Sequence, residues 1–299
     1  MYTIREAAHR AGVTPEVLRA WERRYGVVTP ERTASGYRLY DDAAIARLRS
    51  MRRLIDQGWT ASSAAQHLLA VPDAGESTDP AGAQADAMAT EMTRQFVDAA
   101  SRMNAAAVEA ALDEMLSRAS FEVAVDRYLF PALRALGDAW AEGNLSVAAE
   151  HAASAAVQRR LGAAFDAAGS GMHDEAPVLV GLAPGARHEF GALAFAVAAR
   201  RAGLPVEYLG PDLPVEDWER AGRETGAQAV VIGVPTEGDV AAGRAVARGL
   251  ERDGASRVVV AFGGDGSTSL PRSERLPEGL SAAVDELRNR LGTPLTGGT

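Results

Sequence analysis

The sequence predicts a multidomain protein with an all-α head built as a winged helix-turn-helix, a four-helix bundle and a Rossmann-like α/β domain with a doubly wound parallel sheet. Apolar residues follow a helical period through residues 1–70, apart from one stretch rich in turn residues. An alanine-rich helical segment follows, and beyond residue 176 short apolar strands alternate with helices. The predicted boundaries are 1–70 for the head, 71–87 for a linker, 88–170 for the bundle and 176–295 for the sheet domain.

The composition is that of an ordinary globular protein. Of the 299 residues, 47% are hydrophobic and 24% are charged, which is enough apolar material for more than one core. The absence of cysteine excludes disulfides, thiolate metal sites and cysteine nucleophiles. The sequence shows neither a signal peptide nor an apolar run that could span a membrane, so a cytoplasmic protein without a membrane partner is expected.

Charge is unevenly distributed along the chain. The whole chain carries a net charge of −9, but residues 1–70 hold eleven arginines against seven acidic residues. The head is therefore basic, and the remainder is strongly acidic. Basic charge collected at one end is the electrostatic footprint of a nucleic-acid-binding head.

The head is predicted to open with a short helix, a turn and a second helix that Thr14 caps. Residues 29–40 break the helical period and predict a small wing. A long helix then begins at Asp41, and Thr60 is placed to cap the last helix of the head. This order is typical of a winged helix-turn-helix.

Helix-turn-helix domains place their second helix in the major groove of DNA. Here that helix is rich in arginine, which suits both phosphate contact and bidentate reading of guanine. A solvated charged face is the competing interpretation of any single arginine-bearing helix. The candidate DNA-binding residues are Thr14, Arg19, Trp21, Arg23, Arg24, Tyr25, Arg38 and Tyr40.

The head resembles the MerR family of winged-helix regulators. The resemblance rests on T-I-R-E-A-A-H-R-A-G-V-T-P-E-V-L-R-A-W-E-R-R-Y-G followed by S-G-Y-R-L-Y, and it covers residues 2–70. It implies binding to double-stranded promoter DNA as a dimer or higher oligomer, with contact to RNA polymerase or competition with it. MerR proteins usually dimerise through a coiled coil after the head, whereas here a linker follows without a heptad run. Self-association is therefore expected to come from the rest of the chain.

Residues 88–168 predict a helical bundle. Interruptions near Pro131 and Gly143 divide this alanine-rich segment into helices of bundle length. The four helices are predicted at about 88–101, 104–117, 120–141 and 145–167.

The sheet domain is predicted from four short apolar runs. The first, V-L-V-G-L, is apolar throughout, as expected for a strand that is covered on both faces. Strands are predicted at 178–182, 206–209, 229–233 and 258–262, with helices at 192–202, 215–225, 238–253 and 281–291.

Trp140, Glu150 and His151 form one candidate binding surface. A helix pair joined by a glycine turn can direct all three side chains at the same surface. There the indole can pack on a flat apolar ligand, while the acid and the imidazole hold polar groups. A lone tryptophan in an alanine-rich helix is more often a core residue, and a Glu-His pair is more often solvated, so these alternatives stay open.

His188 is a candidate metal ligand. It follows the first predicted strand of the sheet, at the carboxyl end where doubly wound folds bind ligands. A neutral imidazole there suits cobalt, iron or zinc, and Gly191 permits close approach of a ligand. Gly263 and Gly264 follow the last predicted strand and can clear a channel for a ligand tail. Each of these residues also has a purely structural interpretation.

The order of these residues resembles the cobalamin-binding module of methionine synthase and its regulator relatives. With the head included, the chain resembles the CarH/LitR class of light-sensing repressors over nearly its whole length. This resemblance implies adenosylcobalamin as the cofactor, with His188 as the lower cobalt ligand and Trp140, Glu150 and His151 around the upper, adenosyl side. It also implies a tetramer that covers a promoter and falls apart when light breaks the cobalt–carbon bond.

Several positions depart from the pattern of the class. Ala186 stands where the module carries an acid that orients the histidine, and Glu189 is a candidate replacement. Pro235 stands where a serine serves the nucleotide tail, and Thr236 is a candidate substitute. Ala141 stands where a member of the class has a histidine that captures cobalt after illumination. The adduct in which two histidines bind the cobalt after illumination therefore cannot form here with a histidine at position 141.

Three functions are therefore compared. The first is a repressor that senses adenosylcobalamin and light through cobalt–carbon bond cleavage and a change in oligomeric state. The second is a regulator whose diverged pocket binds another corrinoid or tetrapyrrole, and the third is a ligand-free relative that responds to a protein partner. The DNA-reading head disfavours a corrinoid methyltransferase module. An enzyme is not expected, because the sequence offers no candidate nucleophile–base pair.

Overall fold

A computed structural model describes residues 2–32, 38–56, 61, 64, 65, 80–169, 175–252 and 258–292. The chain divides into two compact units, Met1–Met88 and Ala89–Thr299. Within the described residues, no helix combines the length and the hydropathy needed to cross a membrane. Four parts of the prediction lie outside the described residues. They are residues 33–37 of the wing, the cap Thr60, residues 71–79 of the linker and residues 293–295 at the end of the sheet domain.

The first unit is a helical head that also contains a small antiparallel sheet. Its elements are β1 Tyr2–Thr3, α1 Ile4–Arg10, α2 Pro15–Tyr25, β2 Glu31–Arg32, β3 Arg38–Tyr40 and α3 Asp42–Asp56. The three strands have the order β1-β3-β2, which corrects the prediction of an all-α head. The sheet forms because the chain after the wing returns to the N-terminus, where Tyr2 pairs with Tyr40.

Helix α2 has a cap at each end. The Thr14 side chain accepts a hydrogen bond from the Val17 amide at 3.4 Å, which confirms the predicted cap. Gly26 ends the helix in the left-handed conformation with φ 65°, and its amide donates to the Glu22 carbonyl. Leu18 is fully buried on the inner face of the helix, so the opposite face is left toward solvent.

The second unit begins with a helical bundle. Its elements are α4 Pro80–Ser101, α5 Ala105–Ser117, α6 Phe121–Ala124, a π-helical turn Val125–Leu129, α7 Phe130–Ala141 and α8 Val147–Ala167. With α6, the π-turn and α7 forming one rod, these elements match the four predicted helices. Helix α4 begins at Pro80, so residues 80–87 belong to a helix and not to the predicted linker. Proline is well suited to the first turn of a helix, and four alanines follow in this stretch.

The π-helical turn has a cause in the sequence. Pro131 has no amide hydrogen, so it cannot donate to the carbonyl one turn earlier. The helix widens just before the proline, and the Phe130 amide donates to the carbonyl of Val125, five residues back. The rod continues through the proline, and Gly143, with φ 76°, follows its end in the turn before α8.

The parallel sheet has the strand order β5-β4-β6-β7. Its elements are β4 Val178–Leu182, α9 Phe190–Arg201, β5 Val206–Gly210, α10 Val215–Thr225, β6 Ala229–Gly233, α11 Val240–Arg252, β7 Val259–Gly263 and α12 Leu280–Leu291, with short 3₁₀ turns Glu237–Asp239 and Asp265–Ser269. All three strand pairings are parallel. The predicted strands and helices are confirmed within a few residues.

Side chains alternate between two cores along the strands. Val178 and Val180 lie in the same hydrophobic cluster as the bundle, α9 and α12. Leu179 lies in a second cluster with α10 and α11, which contains the fully buried Trp218. Helices therefore cover both faces of the sheet, as predicted for a doubly wound fold. The bundle shares one continuous core with one face of that sheet.

The loop after β7 packs tightly on the loop after β6. A Cβ added to Gly266 would overlap the carbonyl oxygen of Thr236, and the Gly266 amide donates to the Val234 carbonyl at 3.0 Å. Only glycine fits this contact.

We expect Gly266→Ala to lower the unfolding free energy by about 1–3 kcal/mol, because backbone must move to admit the methyl group. Thermal unfolding of the purified chain measures the change. Gly263→Ala, at the end of β7, is the control, since a Cβ there meets nothing within 4 Å. Equal melting temperatures for the two variants would contradict the tight contact.

Candidate functional site

The carboxyl edge of the sheet contains a topological switch point. The chain leaves β4 toward β5 on one side and later crosses to β6 on the other. Doubly wound folds bind ligands in the crevice at such a point. His188 follows β4, and Thr236 follows β6, so the topology brings the two loops to one edge.

Asp212 pins the loop that leads to His188. Its carboxylate accepts a hydrogen bond from the Gly185 amide at 2.6 Å, and its own amide donates to the Ala186 carbonyl at 3.0 Å. Asp212 adopts φ 54°, a left-handed conformation that is unfavourable for most residues with a side chain. The sequence reasoning missed this residue. The signal that could have found it is an aspartate in a Gly-Pro-Asp turn directly after a strand.

His188 presents its imidazole toward solvent. It is exposed, and within the part of the chain that the structure describes its side chain makes no hydrogen bond. A Cβ added to Gly191, one turn further on, or to Gly263 would meet nothing within 4 Å. Packing inside the chain thus does not require glycine at these two positions, and open space remains beside them.

Glu150 and His151 lie in the first turns of α8. The Glu150 carboxylate contacts Nδ1 of His151 at 2.5 Å and accepts a hydrogen bond from Ser154 at 2.6 Å. Its side chain is 26% exposed, whereas that of His151 is 74% exposed. The acid is therefore held in place, and the imidazole is free to meet a ligand.

The charge environment of Glu150 links the bundle with the His188 loop. Partial burial works against its ionisation, but hydrogen bonds from Ser154 and His151 and the charges of His151 and His188 hold the pKa of this carboxyl below its ordinary value. His188 is thus within electrostatic reach of Glu150, although 38 residues separate them in sequence. The hydrogen bond from Gln158 on α8 to Glu189 places the His188 loop beside the helix that carries Glu150 and His151.

Trp140 is not a core residue. It lies at the end of α7 and is 50% exposed, and Val147 at the start of α8 is 55% exposed. Two large apolar side chains therefore flank the turn between the helices and offer a surface to an apolar partner. This removes the interpretation of Trp140 as a structural tryptophan.

Glu189 does not replace the acid missing at position 186. Its carboxylate accepts hydrogen bonds from Gln158 at 2.6 Å and from the Tyr208 hydroxyl at 2.7 Å. Ala186 is buried, so a methyl group occupies the position of the absent acid. The prediction that Glu189 compensates as the partner of His188 is corrected, because both of its oxygens are engaged elsewhere.

The loops after β6 and β7 lie side by side. The Val234 amide donates to the Gly263 carbonyl at 2.8 Å, and a Cβ added to Gly264, which has φ 100°, would lie 2.9 Å from the Val234 carbonyl oxygen. Thr236 is exposed, but its hydroxyl donates to Asp239 at 2.6 Å. Thr236 can therefore accept a hydrogen bond from a ligand, whereas its proton is already used.

The residues at this edge fit a flat corrinoid whose cobalt takes one nitrogen ligand from the protein. The exposed imidazole of His188 is able to supply that nitrogen, and the open space at Gly191 and Gly263 can admit the ring. The exposed indole of Trp140, at the end of α7, is available to an apolar ligand surface. Ala186 is the one departure, since it removes the usual carboxylate support for the histidine.

The second candidate site is the outer face of α2 in the head. Thr14, Arg19, Arg23 and Arg24 are exposed there, and Tyr25 is half-buried below the Arg24 guanidinium. Arg19 and Arg23 are one turn apart and so share a face. The arrangement suits a recognition helix in the major groove.

Two predicted DNA contacts are corrected by burial. Trp21 is 6% exposed and Tyr40 is 1% exposed, so both rings belong to the core of the head. Glu22 accepts hydrogen bonds from the Arg38 guanidinium and the Tyr40 hydroxyl, each at 3.0 Å. Burial and this hydrogen bond raise the pKa of Tyr40. The half-buried Arg38 is thus tied to α2 and ties the wing strand to the helix.

Comparison with known proteins identifies families for the head and for the bundle. A family model described as "MerR HTH family regulatory protein" matches residues 2–70, and one described as "B12 binding domain" matches residues 92–164. The fold also resembles the monomethylamine corrinoid protein of Methanosarcina barkeri, with a TM-score of 0.54 and 16% identity over 67% of this chain and 98% of that one. This likeness establishes a shared fold. Head, bundle and sheet together define a MerR-type transcriptional regulator with a cobalamin-binding domain.

The similarity to two curated relatives identifies the family of the chain within these regulators. It is 39% identical over 223 residues to the HTH-type transcriptional repressor CarH of Myxococcus xanthus, covering 74% of each chain. It is 31% identical over 217 residues to the HTH-type transcriptional repressor CarA of the same organism, covering 71% of this chain and 68% of CarA. The chain belongs to the family of CarH-type MerR regulators, and it is a regulator and not an enzyme.

We expect Arg19→Ala and Arg23→Ala each to weaken binding to duplex DNA. An arginine that contacts phosphate releases about one counterion, so its loss lowers the slope of log affinity against log salt by about 0.9. An arginine that reads guanine instead costs about 1–3 kcal/mol on the specific sequence. Fluorescence anisotropy of labelled duplex DNA over a salt series distinguishes phosphate contact from guanine reading. Arg118→Ala, in the bundle, is the matched control, and variants that bind as the control does would contradict the assignment.

We expect Asp212→Gly to loosen the loop before His188, because it removes the carboxylate that holds the Gly185 amide. Losing this partly exposed hydrogen bond lowers the free energy of opening the loop by about 1 kcal/mol. Amide exchange at residues 185–188 should therefore become about fivefold faster. Hydrogen exchange measures the rate. Glycine also relieves the left-handed backbone, so backbone strain does not confuse the result. Asp212→Asn keeps an acceptor and is the control, and equal exchange in both variants argues against the role.

Proposed function

We propose that the chain is a light-responsive repressor that binds adenosylcobalamin between the bundle and the carboxyl edge of the sheet. The bound group would supply a cobalt–carbon bond that light breaks. The observation that carries the proposal is the exposed His188 at the switch point, whose neighbour Glu189 accepts a hydrogen bond from Gln158 on helix α8. The family relationship to CarH and CarA supports the same conclusion.

Each predicted residue has a role in this proposal. His188 would hold the cobalt, and Trp140 and His151 would line the adenosyl side, which their exposed side chains are able to contact. Glu150 holds His151 through the contact described above. Gly191 and Gly263 would leave room for the ring and its nucleotide tail, whereas Thr236 would accept a hydrogen bond from that tail and Gly264 would hold its loop against Val234.

The output of the proposed sensor is DNA binding. Helices α7 and α8 would favour one position with the adenosyl group bound and another after its loss, so the chain would shift between two states. We infer that the ligand-bound state is a dimer or tetramer, which places several heads on one promoter and gains affinity through multivalency. Such an assembly would exclude RNA polymerase or contact it at the promoter.

The departure at Ala186, where no carboxylate contacts the imidazole directly, favours one alternative. Without carboxylate support, His188 orients and binds cobalt less strongly, by roughly 10–100-fold for a typical site. A pocket with a weaker lower ligand suits a second candidate, a regulator that takes another corrinoid form and has altered photochemistry.

We expect the purified chain to bind adenosylcobalamin in the dark and to change both its absorption spectrum and its oligomeric state under green light. Size-exclusion chromatography with light scattering, in the dark and after illumination, measures the change, and promoter binding is followed in the same samples. A chain that binds no cobalamin overturns the proposal. A chain that binds it but keeps its oligomeric state in light instead supports the second candidate.

The comparison of His188→Ala with His151→Ala tests the assigned sides of the corrinoid. Only His188→Ala should remove histidine nitrogen from the cobalt, because His151 is placed on the opposite side. Electron paramagnetic resonance of bound cob(II)alamin, with ¹⁵N-labelled histidine, reports that nitrogen directly. An unchanged nitrogen signal in His188→Ala refutes the assignment of His188.

A further inference from the structure

Glu189 lies where three elements of the second unit meet. It directly follows His188 and directly precedes α9. Its carboxylate accepts one hydrogen bond from Gln158 on α8, at 2.6 Å, and another from Tyr208 on β5, at 2.7 Å. One side chain thus joins the bundle, the His188 loop and the sheet.

The bundle partner of Glu189 lies on the helix that carries the upper side of the site. Gln158 comes seven residues after His151 on α8, which is two helical turns or about 10 Å along the helix axis. Both side chains therefore move with one rigid element. A shift of α8 along the sheet domain changes the position of His151 and pulls on Glu189 at the same time.

The far half of α8 has a second anchor to the same elements. The Arg200 guanidinium lies 3.5 Å from the centre of the Phe165 ring and donates to the Phe165 carbonyl at 3.3 Å. The Tyr208 ring meets Phe165 edge-on, with the ring centres 6.1 Å apart. Burial and the hydrogen bond to Glu189 raise the pKa of Tyr208, so its hydroxyl remains a donor at neutral pH. Tyr208 therefore connects the two anchors.

We propose that Glu189 is a positioning residue that ties the His188 loop to helix α8, so that the bundle holds the imidazole of His188 in place for a metal. In this chain the bundle then takes over the orienting task that Ala186 cannot perform. Asp212 holds the start of the loop to the sheet, and Glu189 holds its end to the bundle. The inference rests on the proposed function for its ligand, but the tie itself belongs to the ligand-free chain.

The tie predicts that a change at the exposed Gln158, on the bundle, affects metal binding at His188 on the sheet side of the site. Gln158 is exposed and is not a metal ligand, so changing it removes little from the core. Gln158→Glu places two carboxylates against each other and breaks the tie. The exchanged pair Gln158→Glu with Glu189→Gln restores one amide donor and one carboxylate acceptor, and the amide oxygen introduced by Glu189→Gln still accepts from Tyr208.

The experiment compares the full chain with Gln158→Glu, with the exchanged pair, and with Ala163→Glu as the control. Ala163 is exposed on the same helix, so its variant adds the same charge away from Glu189. With cob(II)alamin as the probe, Gln158→Glu should weaken binding about tenfold and reduce the histidine nitrogen signal, as loss of an orienting partner does at other metal sites. The exchanged pair should recover both, and the control should keep both.

Hydrogen exchange in the ligand-free chain separates this inference from the proposed function. Gln158→Glu should speed exchange at residues 185–189, and the exchanged pair should slow it again. If the parent chain binds no cobalamin, the proposed function fails and the exchange data alone decide whether the tie exists. If the parent chain binds cobalamin, two results would overturn the tie. One is a Gln158→Glu variant with the cob(II)alamin affinity and nitrogen signal of the control, and the other is an exchanged pair that recovers neither.

Discussion

The packing of helix α8 against helix α9 is the contact on which the second unit depends. It merges the bundle core with one face of the parallel sheet into a single hydrophobic cluster. Both helices bury alanines in that cluster, such as Ala153 and Ala156 on α8 and Ala194 and Ala198 on α9. Small side chains allow helix axes to approach closely. The bundle is therefore held directly against the sheet, with His151 and the His188 loop at the same end.

The two sides of the site differ in how firmly they are held. On the sheet side, Asp212 and the close glycine contacts between neighbouring loops fix the backbone. On the bundle side, Trp140 and His151 are exposed, and their environment depends on what they meet. A rigid sheet side with a more mobile bundle side suits a sensor. A ligand can then change the position of the bundle helices without unfolding the sheet loops.

Much of this fold could be predicted because its signals are local. In chain order, the first and third strands of the sheet have the predicted bounds, since short runs of mostly β-branched and aliphatic residues define them. His188 could be placed at the site because ligands gather at the carboxyl ends of parallel strands. The all-α head and the burial of Trp21 and Tyr40 were mispredicted. Short strands and buried rings depend on partners distant in sequence, which periodicity does not reveal.

The sequence by itself determined the order of the elements, the helix cap at Thr14, the basic head and the identity of the histidine after the first strand of the sheet. Only the tertiary structure decided which strands are neighbours and which donors each carboxylate meets. Glu189 pairs with groups 31 and 19 residues away, and Asp212 pairs with an amide 27 residues away. Such pairings follow from how the helices and the sheet pack, and no local pattern of residues encodes that packing.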